Sequence, residues 1–212
     1  TEDATSIRLP VGITVGGATT LVEDNEVYDN ATGILAYGGL TRDNRVYHNS
    51  QVGIVTGQSA VVTGNTVYSN PLGIQVGCCG TYNSAQVTNN LVYANTEYGI
   101  VVGRTYDANG VALINNTVHQ AVGDAIRIET GSSNMIIKNN ILSVGAGYAF
   151  NFLTCNHNSR AWDYNLFDRL TQTQANVAFW CGAARATLAD WQAAAGQDAN
   201  SVAAPAGFVD ID

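Results

Sequence analysis

Charge is scarce in this chain of 212 residues, because only 12% of them are Asp, Glu, Lys or Arg. The 46% share of hydrophobic residues excludes a disordered chain, since disordered chains combine high charge with low hydrophobicity. Basic residues are the scarcest: nine Lys and Arg face 17 acids and leave a net charge of -8. Nucleic acid is therefore excluded as a partner, because binding to phosphates requires a basic surface.

Long apolar runs and zinc motifs are missing as well. Gly, Asn and Thr interrupt the uncharged stretches, so the sequence predicts no membrane span. Among the four cysteines, Cys78 and Cys79 are adjacent and have no histidine neighbours, which fits a vicinal disulfide or two thiols but no zinc site. Cys155 and Cys181 lie 26 residues apart, about one period of the repeat described next, and this spacing predicts a disulfide bond between them.

Asparagine and glycine, with 22 residues each, are abundant and periodic. The phrase Asn-x-Val-Tyr-x-Asn and its weaker copies recur at spacings of 19, 21, 25, 26, 24 and 25 residues, beginning at Asn25, Asn44, Asn65, Asn90, Asn116, Asn140 and Asn165. A second phrase, Gly-Ile or a variant of it, alternates with the first, beginning at Gly12, Gly33, Gly53, Gly73, Gly99, Ala125 and Ala149. Self-similarity at this period indicates a solenoid.

Apolar residues alternate within each repeat, as in Ile74 and Val76, and this alternation predicts short strands. Three strands per repeat form one turn of a parallel β-solenoid, whereas the frame of a leucine-rich repeat is missing. We expect the first Asn of each phrase to point inward and to form a ladder that satisfies buried backbone groups. Glycine at the corners is expected to supply positive φ angles.

The Asn-x-Val-Tyr-x-Asn and Gly-Ile-x-Val phrases, over about residues 12–167, resemble the right-handed parallel β-helix repeat proteins of the pectate-lyase-like superfamily. The resemblance implies an all-β, right-handed parallel β-helix of about seven coils. We expect the repeats in residues 1–167 and a cap on the last coil in residues 168–212. Thr187 as N-cap and Gly196 after the last turn predict one short α-helix in the cap. At the N-terminal end, where no cap is evident, a second copy or a neighbouring domain is expected.

Outward-facing residues are the candidates for function, since the inward positions are assigned to the core. One outward row contains aromatic side chains spaced like sugar rings along a glycan, and it is either a substrate-binding row or a self-stacking ladder: Tyr28, Tyr47, Tyr68, Tyr93 and His119. A second group combines the charges of another sheet with two long turns: Arg127 and Glu129, with Arg104 and Tyr106, are the candidate catalytic residues, and Tyr82 and Asp107 the candidate substrate contacts.

The second group has the chemistry that uronic acids require. Arginine binds a carboxylate with two hydrogen bonds, Tyr or Arg transfers a proton, and acidic side chains recruit calcium. The alternative is a set of surface ion pairs, Arg127 with Glu129 or Arg104 with Asp107, that stabilise little. Calcium is therefore the one cofactor that this group suggests.

Two functions remain open at this stage. The superfamily resemblance implies a polysaccharide-directed protein, lyase-like or epimerase-like on acidic glycans. The alternative is a non-catalytic structural, adhesive or fibre-forming module, with Leu35, Val55 and Val101 as outward contact surface. The Asp-Pro-His element of the family's epimerases is absent, and the one Asp-x-Asp lies at Asp210 and Asp212. The scarcity of lysine, the abundance of Asn, the predicted disulfide and a tail over 191–201 similar to that of secreted bacterial β-helix proteins predict an extracellular setting.

Overall fold

The computed structural model describes residues 10–77, 84–103, 109–129, 132–155, 161–169 and 175–208. Strands follow one another in triplets along the chain. In chain order they are β1 Val11–Val15, β2 Leu21–Glu23, β3 Glu26–Tyr28, β4 Thr32–Ala36, β5 Leu40–Arg42, β6 Arg45–Tyr47, β7 Val52–Thr56, β8 Val61–Thr63, β9 Thr66–Tyr68, β10 Leu72–Val76, β11 Gln86–Thr88, β12 Leu91–Tyr93, β13 Tyr98–Val102, β14 Ala112–Ile114, β15 Thr117–Gln120, β16 Asp124–Ile128, β17 Ile136–Lys138, β18 Ile141–Val144, β19 Gly147–Phe152, β20 Ala161–Asp163, β21 Leu166–Asp168, β22 Ala175–Trp180, β23 Ala183–Arg185 and β24 Val202–Ala203.

The triplets stack into three sheets. Sheet A has the order β1-β4-β7-β10-β13-β16-β19-β22-β23, sheet B the order β2-β5-β8-β11-β14-β17-β20, and sheet C the order β3-β6-β9-β12-β15-β18-β21-β24. All neighbours pair in parallel except β22 and β23, which form an antiparallel hairpin. Every third strand of the chain therefore lies beside its equivalent in the next coil, and the prediction of a parallel β-solenoid of about seven coils is confirmed.

The core is a set of apolar columns that run through the coils. Ile34, Ile54 and Ile74 lie in register on sheet A and are completely buried, and the same column continues through Ile100 and Ile126. Each inward position therefore packs on the equivalent position of the neighbouring coil, so the core is continuous along the whole solenoid.

The glycines of the Gly-Ile phrases have a different role from the predicted one. Gly33, Gly53 and Gly73 are absent from the positions with positive φ. A Cβ on Gly33 would lie 2.6 Å from the carbonyl oxygen of Gly53 and 2.6 Å from Cγ1 of Val46, so only glycine fits between two coils there. The positive φ angles before the ladder asparagines belong mostly to other residues, such as Asp43 with φ 55°, because Asp and Asn tolerate the left-handed region.

The predicted asparagine ladder is present. Nδ2 of each ladder residue donates to Oδ1 of the next, as in Asn65 to Asn90 at 3.0 Å and Asn90 to Asn116 at 3.0 Å. A second ladder, which was not predicted, joins Asn30, Asn49, Asn70 and Asn95 by the same contacts. The second Asn of each sequence phrase was its signal.

A short helix, α1 (Leu188–Ala195), covers the last coil as predicted. Thr187 Oγ1 accepts a hydrogen bond from the N–H of Asp190, the Asp190 carboxylate accepts one from Thr187, and Gly196 ends the helix at φ 64°. The fully buried Trp191 is the helix residue that enters the core. Its ring stacks on Phe152 at 5.4 Å and on Trp162 at 6.1 Å.

Candidate functional site

The outward tyrosine row on sheet C is a self-stacked column. Ring centroids of Tyr28, Tyr47, Tyr68 and Tyr93 are separated successively by 5.1, 5.0 and 5.0 Å, with interplanar angles of 13°, 13° and 9°. Both faces of Tyr47 and Tyr68 therefore contact other rings and are closed to a sugar. What the row presents outward is ring edges and hydroxyls, and two of these are engaged: Tyr47 donates to Glu26, and Tyr68 accepts from Arg45.

The row continues as a polar cluster under the C-terminal segment. His119 Nδ1 lies 3.1 Å from Ser143 Oγ, and Ser143 Oγ donates to Asp168 Oδ2 at 3.1 Å. The backbone N–H of Ala206 donates to the same carboxylate oxygen, and Phe208 meets the His119 ring edge-on at 5.5 Å. Residues 204–208, the C-terminal strap, therefore cover this end of the row.

Burial under the strap lowers the pKa of His119, although the nearby Asp168 carboxylate acts in the opposite direction. The unfolded chain then binds more protons than the folded chain once the pH falls below the ordinary histidine pKa of about 6.5. We expect the free energy of unfolding to have its full value above that pH and to decrease as the pH falls below it.

The comparison of His119→Gln with the parent in urea unfolding at several pH values isolates this contribution. The variant keeps a hydrogen-bonding amide but does not titrate, so its stability should depend less on pH over this range. The exposed His48, replaced in the same way, serves as the control. Parallel pH profiles of parent and His119→Gln would contradict the assignment.

The described part of the second predicted group is centred on Arg127, on the outer face of sheet A. Arg127 Nε donates to Glu129 at 3.3 Å, and Nη1 donates to the Tyr98 hydroxyl at 3.2 Å. The guanidinium lies over the Tyr98 ring, with Cζ 4.8 Å from its centroid. A second carboxylate, Asp124, approaches Nη1 to 3.8 Å. The structure thus brings Arg127 and Glu129 together, as predicted, but with the arginine already bound within the chain.

Asp124 is 5% exposed and fixed from two sides. It accepts hydrogen bonds from the Asn151 amide at 2.8 Å and from the N–H of Tyr148 at 3.0 Å. Burial raises the pKa of Asp124 above its ordinary value, against the opposing effect of these donors and of Arg127. The pair formed by Asp124 and Arg127 is consequently part of the sheet surface rather than a mobile ion pair.

A cleft of about 380 Å³ lies beside this cluster on the same face of sheet A. Its lining consists of Ser50, Gln51, Val52, Pro71, Leu72, Gln75 and Glu97. Leu72 pairs in register with Tyr98 of the next strand, so the cleft extends to the Tyr98 ring and its stacked arginine. Amide and hydroxyl groups therefore surround an apolar base, and the volume is within the ~300–1,000 Å³ range typical of ligand sites.

Sequence reasoning did not find this cleft. Gln51, Pro71 and Glu97 lie at the corner that precedes sheet A, where the phrase pattern leaves the residue types free. Their equivalent position in successive coils, directly before the strand, was the available signal. Four other predicted site residues, Tyr82, Arg104, Tyr106 and Asp107, lie outside the residues that the structure describes.

The predicted disulfide between Cys155 and Cys181 is wrong, because both are exposed thiols in the structure. The register explains the difference. Strands β19 and β22 pair Gly147 with Ala175, a spacing of 28 residues, so Cys155 is displaced by two residues along the strands relative to Cys181. Two residues amount to about 6.6 Å along a strand, which with the separation between strands exceeds the reach of a disulfide.

Two residues of the expected outward contact surface are also unavailable. Val101 is completely buried and Val55 is 9% exposed, whereas Leu35 is partly exposed. Both valines lie in the column that contains Gln75 and Arg127, so they belong to the surface under the cleft and cluster. The fibre-forming alternative loses two of its three contact residues.

Metal ligands are not grouped in the described part of the chain. No set of three or more His, Cys, Asp or Glu residues there could hold a metal ion, so the expectation of calcium receives no support. Within the same residues, no helix has the length and apolar character needed to cross a membrane.

Three stacked parallel sheets, asparagine ladders and an outward cleft define a parallel β-helix protein. The chain belongs to the NosD family, whose model is described as "Periplasmic copper-binding protein (NosD)" and matches residues 17–176. Among solved structures it is similar to the A-module of the mannuronan C-5 epimerase AlgE6 of Azotobacter vinelandii. The identity is 18% and the TM-score 0.58, over 87% of this chain and 58% of that one, so the likeness shows the fold. No curated protein matches.

Proposed function

We propose that this chain is a polysaccharide-directed protein of the cell envelope or the cell exterior, which holds a glycan in the cleft on sheet A. The cleft carries the proposal. Sugar rings have apolar C–H faces and hydroxyl edges, and the cleft offers Val52 and Pro71 for the faces and the amides of Gln51 and Gln75 for the hydroxyls. The family's description as periplasmic supports the location.

Binding is better supported than a lyase-like or epimerase-like reaction on an acidic glycan. Such a reaction needs a group that neutralises the uronate carboxylate and another that moves a proton. Arg127 and Tyr98 have this chemistry, but they bond to each other at 3.2 Å, and Arg127 also pairs with Glu129. A substrate carboxylate would have to displace Glu129, so we propose binding as the primary activity.

Copper has no role in the proposal. The family description names copper-binding proteins, but the described residues lack the cluster of His, Cys or carboxylate side chains that copper requires. The glycan is therefore expected to bind through hydrogen bonds and apolar contact alone.

The proposal is tested by filling the cleft. Gln51 is exposed in its lining, and we expect Gln51→Trp to abolish glycan binding by occupying the space, while Gln51→Ala should weaken it about fivefold through the loss of one hydrogen bond of about 1 kcal/mol. Calorimetry with a panel of neutral, amino-bearing and acidic oligosaccharides is the measurement.

The matched control is Gln86→Trp, at an exposed glutamine on the outer face of sheet B. It should leave both binding and thermal unfolding unchanged. Parent protein that binds no member of the panel, or binding that survives Gln51→Trp, would overturn the proposal.

A further inference from the structure

The charges around the cleft indicate which kind of sugar it accepts. Of the described residues in its lining, Glu97 carries the sole formal charge, and it is exposed. The other polar members, Ser50, Gln51 and Gln75, are neutral. A ligand in the cleft therefore meets one negative charge from these residues.

The adjacent cluster does not reverse this sign. The positive charge of Arg127 is opposed by Glu129 at 3.3 Å and by Asp124 at 3.8 Å. Its guanidinium lies over the Tyr98 ring, on the strand next to Leu72, and is committed to contacts within the chain. A uronate carboxylate placed in the cleft would thus approach Glu97 without an unopposed positive charge from Arg127.

From this arrangement we propose that the cleft selects a glycan with free amino groups, and that the Glu97 carboxylate pairs with the sugar ammonium. This inference rests on the proposed function, since it names the substrate class of the same site. It replaces the acidic glycans implied by the sequence resemblance with a cationic sugar. Because Glu97 is exposed, the pairing contributes specificity more than affinity.

The experiment compares three oligosaccharides of equal length: oligoglucosamine, its N-acetylated form and oligogalacturonate. Calorimetry in mildly acidic buffer keeps the amino groups protonated and side-chain carboxylates largely ionised. We expect the amino form to bind about fivefold tighter than the acetylated form, as a surface ion pair allows. Oligogalacturonate should bind weakest, and added salt should reduce the preference.

Glu97→Gln assigns the preference to one carboxylate. This variant should bind the amino and acetylated forms equally, with the affinity for the acetylated form unchanged within about twofold. Asp29→Asn, which removes an exposed carboxylate at a corner of the first coil, should keep the parent's preference.

The outcomes separate this inference from the proposed function. Equal binding of the amino and acetylated forms by the parent, or a preference that persists in Glu97→Gln, overturns the choice of substrate class while the glycan site stands. Failure of all three oligosaccharides, together with the neutral sugars of the larger panel, overturns both.

Discussion

Replacement of Asn90 by alanine should lower the free energy of unfolding by about 3–5 kcal/mol. Asn90 Oδ1 accepts from both the N–H and the side-chain amide of Asn65 at 3.0 Å, and its Nδ2 donates to the Val62 carbonyl and to Asn116, also at 3.0 Å. Alanine would leave all of these groups buried without a partner, and each unsatisfied group costs about 1–3 kcal/mol. Urea unfolding followed by circular dichroism measures the loss.

The matched control for this prediction is Gln86→Ala on β11 of the same coil. Its amide points outward and is exposed, so its removal should change the stability by less than about 0.5 kcal/mol. If Asn90→Ala were as stable as the control, the ladder would not be the stabilising element that its hydrogen bonds indicate.

Replacement of Trp191 by alanine should lower the free energy of unfolding by about 3–5 kcal/mol, the usual cost of emptying a buried aromatic site. The side chain is fully buried, stacks on Phe152 and Trp162, and donates from Nε1 to Asp198 at 2.8 Å. Thermal unfolding should also lose cooperativity if the cap separates from the last coil first.

Trp191→Phe distinguishes packing from hydrogen bonding. It keeps most of the buried ring but removes the N–H, so we expect a smaller loss of about 1–3 kcal/mol from the unsatisfied Asp198 oxygen. A Trp191→Phe variant as unstable as Trp191→Ala would show that the hydrogen bond, rather than the ring, holds the cap.

The fold was predictable because each coil repeats the same local rules. Asn65 and Asn90 occupy equal places in equal phrases, so one correct interpretation of the phrase determines a whole column. Thr187 and Gly196 are likewise local signals, because a capping box and a left-handed C-terminal glycine depend on residues only a few positions apart.

The candidate site was less predictable because it depends on contacts between coils at variable positions. Arg127 and Glu129 were found from their charge, yet the stacking of Arg127 on Tyr98 comes from the 26-residue register between Asp124 and Tyr98. The displacement of Cys155 from Cys181 has the same origin, since the register widens to 28 residues in the last coil. Coil lengths that vary cannot be assigned from an average period.

The asparagine ladder also makes the solenoid electrically asymmetric along its length. In every step Nδ2 points toward the following coil and Oδ1 receives the preceding one, so the amide dipoles add in one direction, as the peptide dipoles of a helix do. Their positive ends face the C-terminal cap, and there the last amide, that of Asn165, donates to Asp198 at 2.8 Å. A carboxylate at this position both accepts the final hydrogen bond and opposes the accumulated positive potential, and this compensation helps a 1% exposed acid to be accommodated inside the cap.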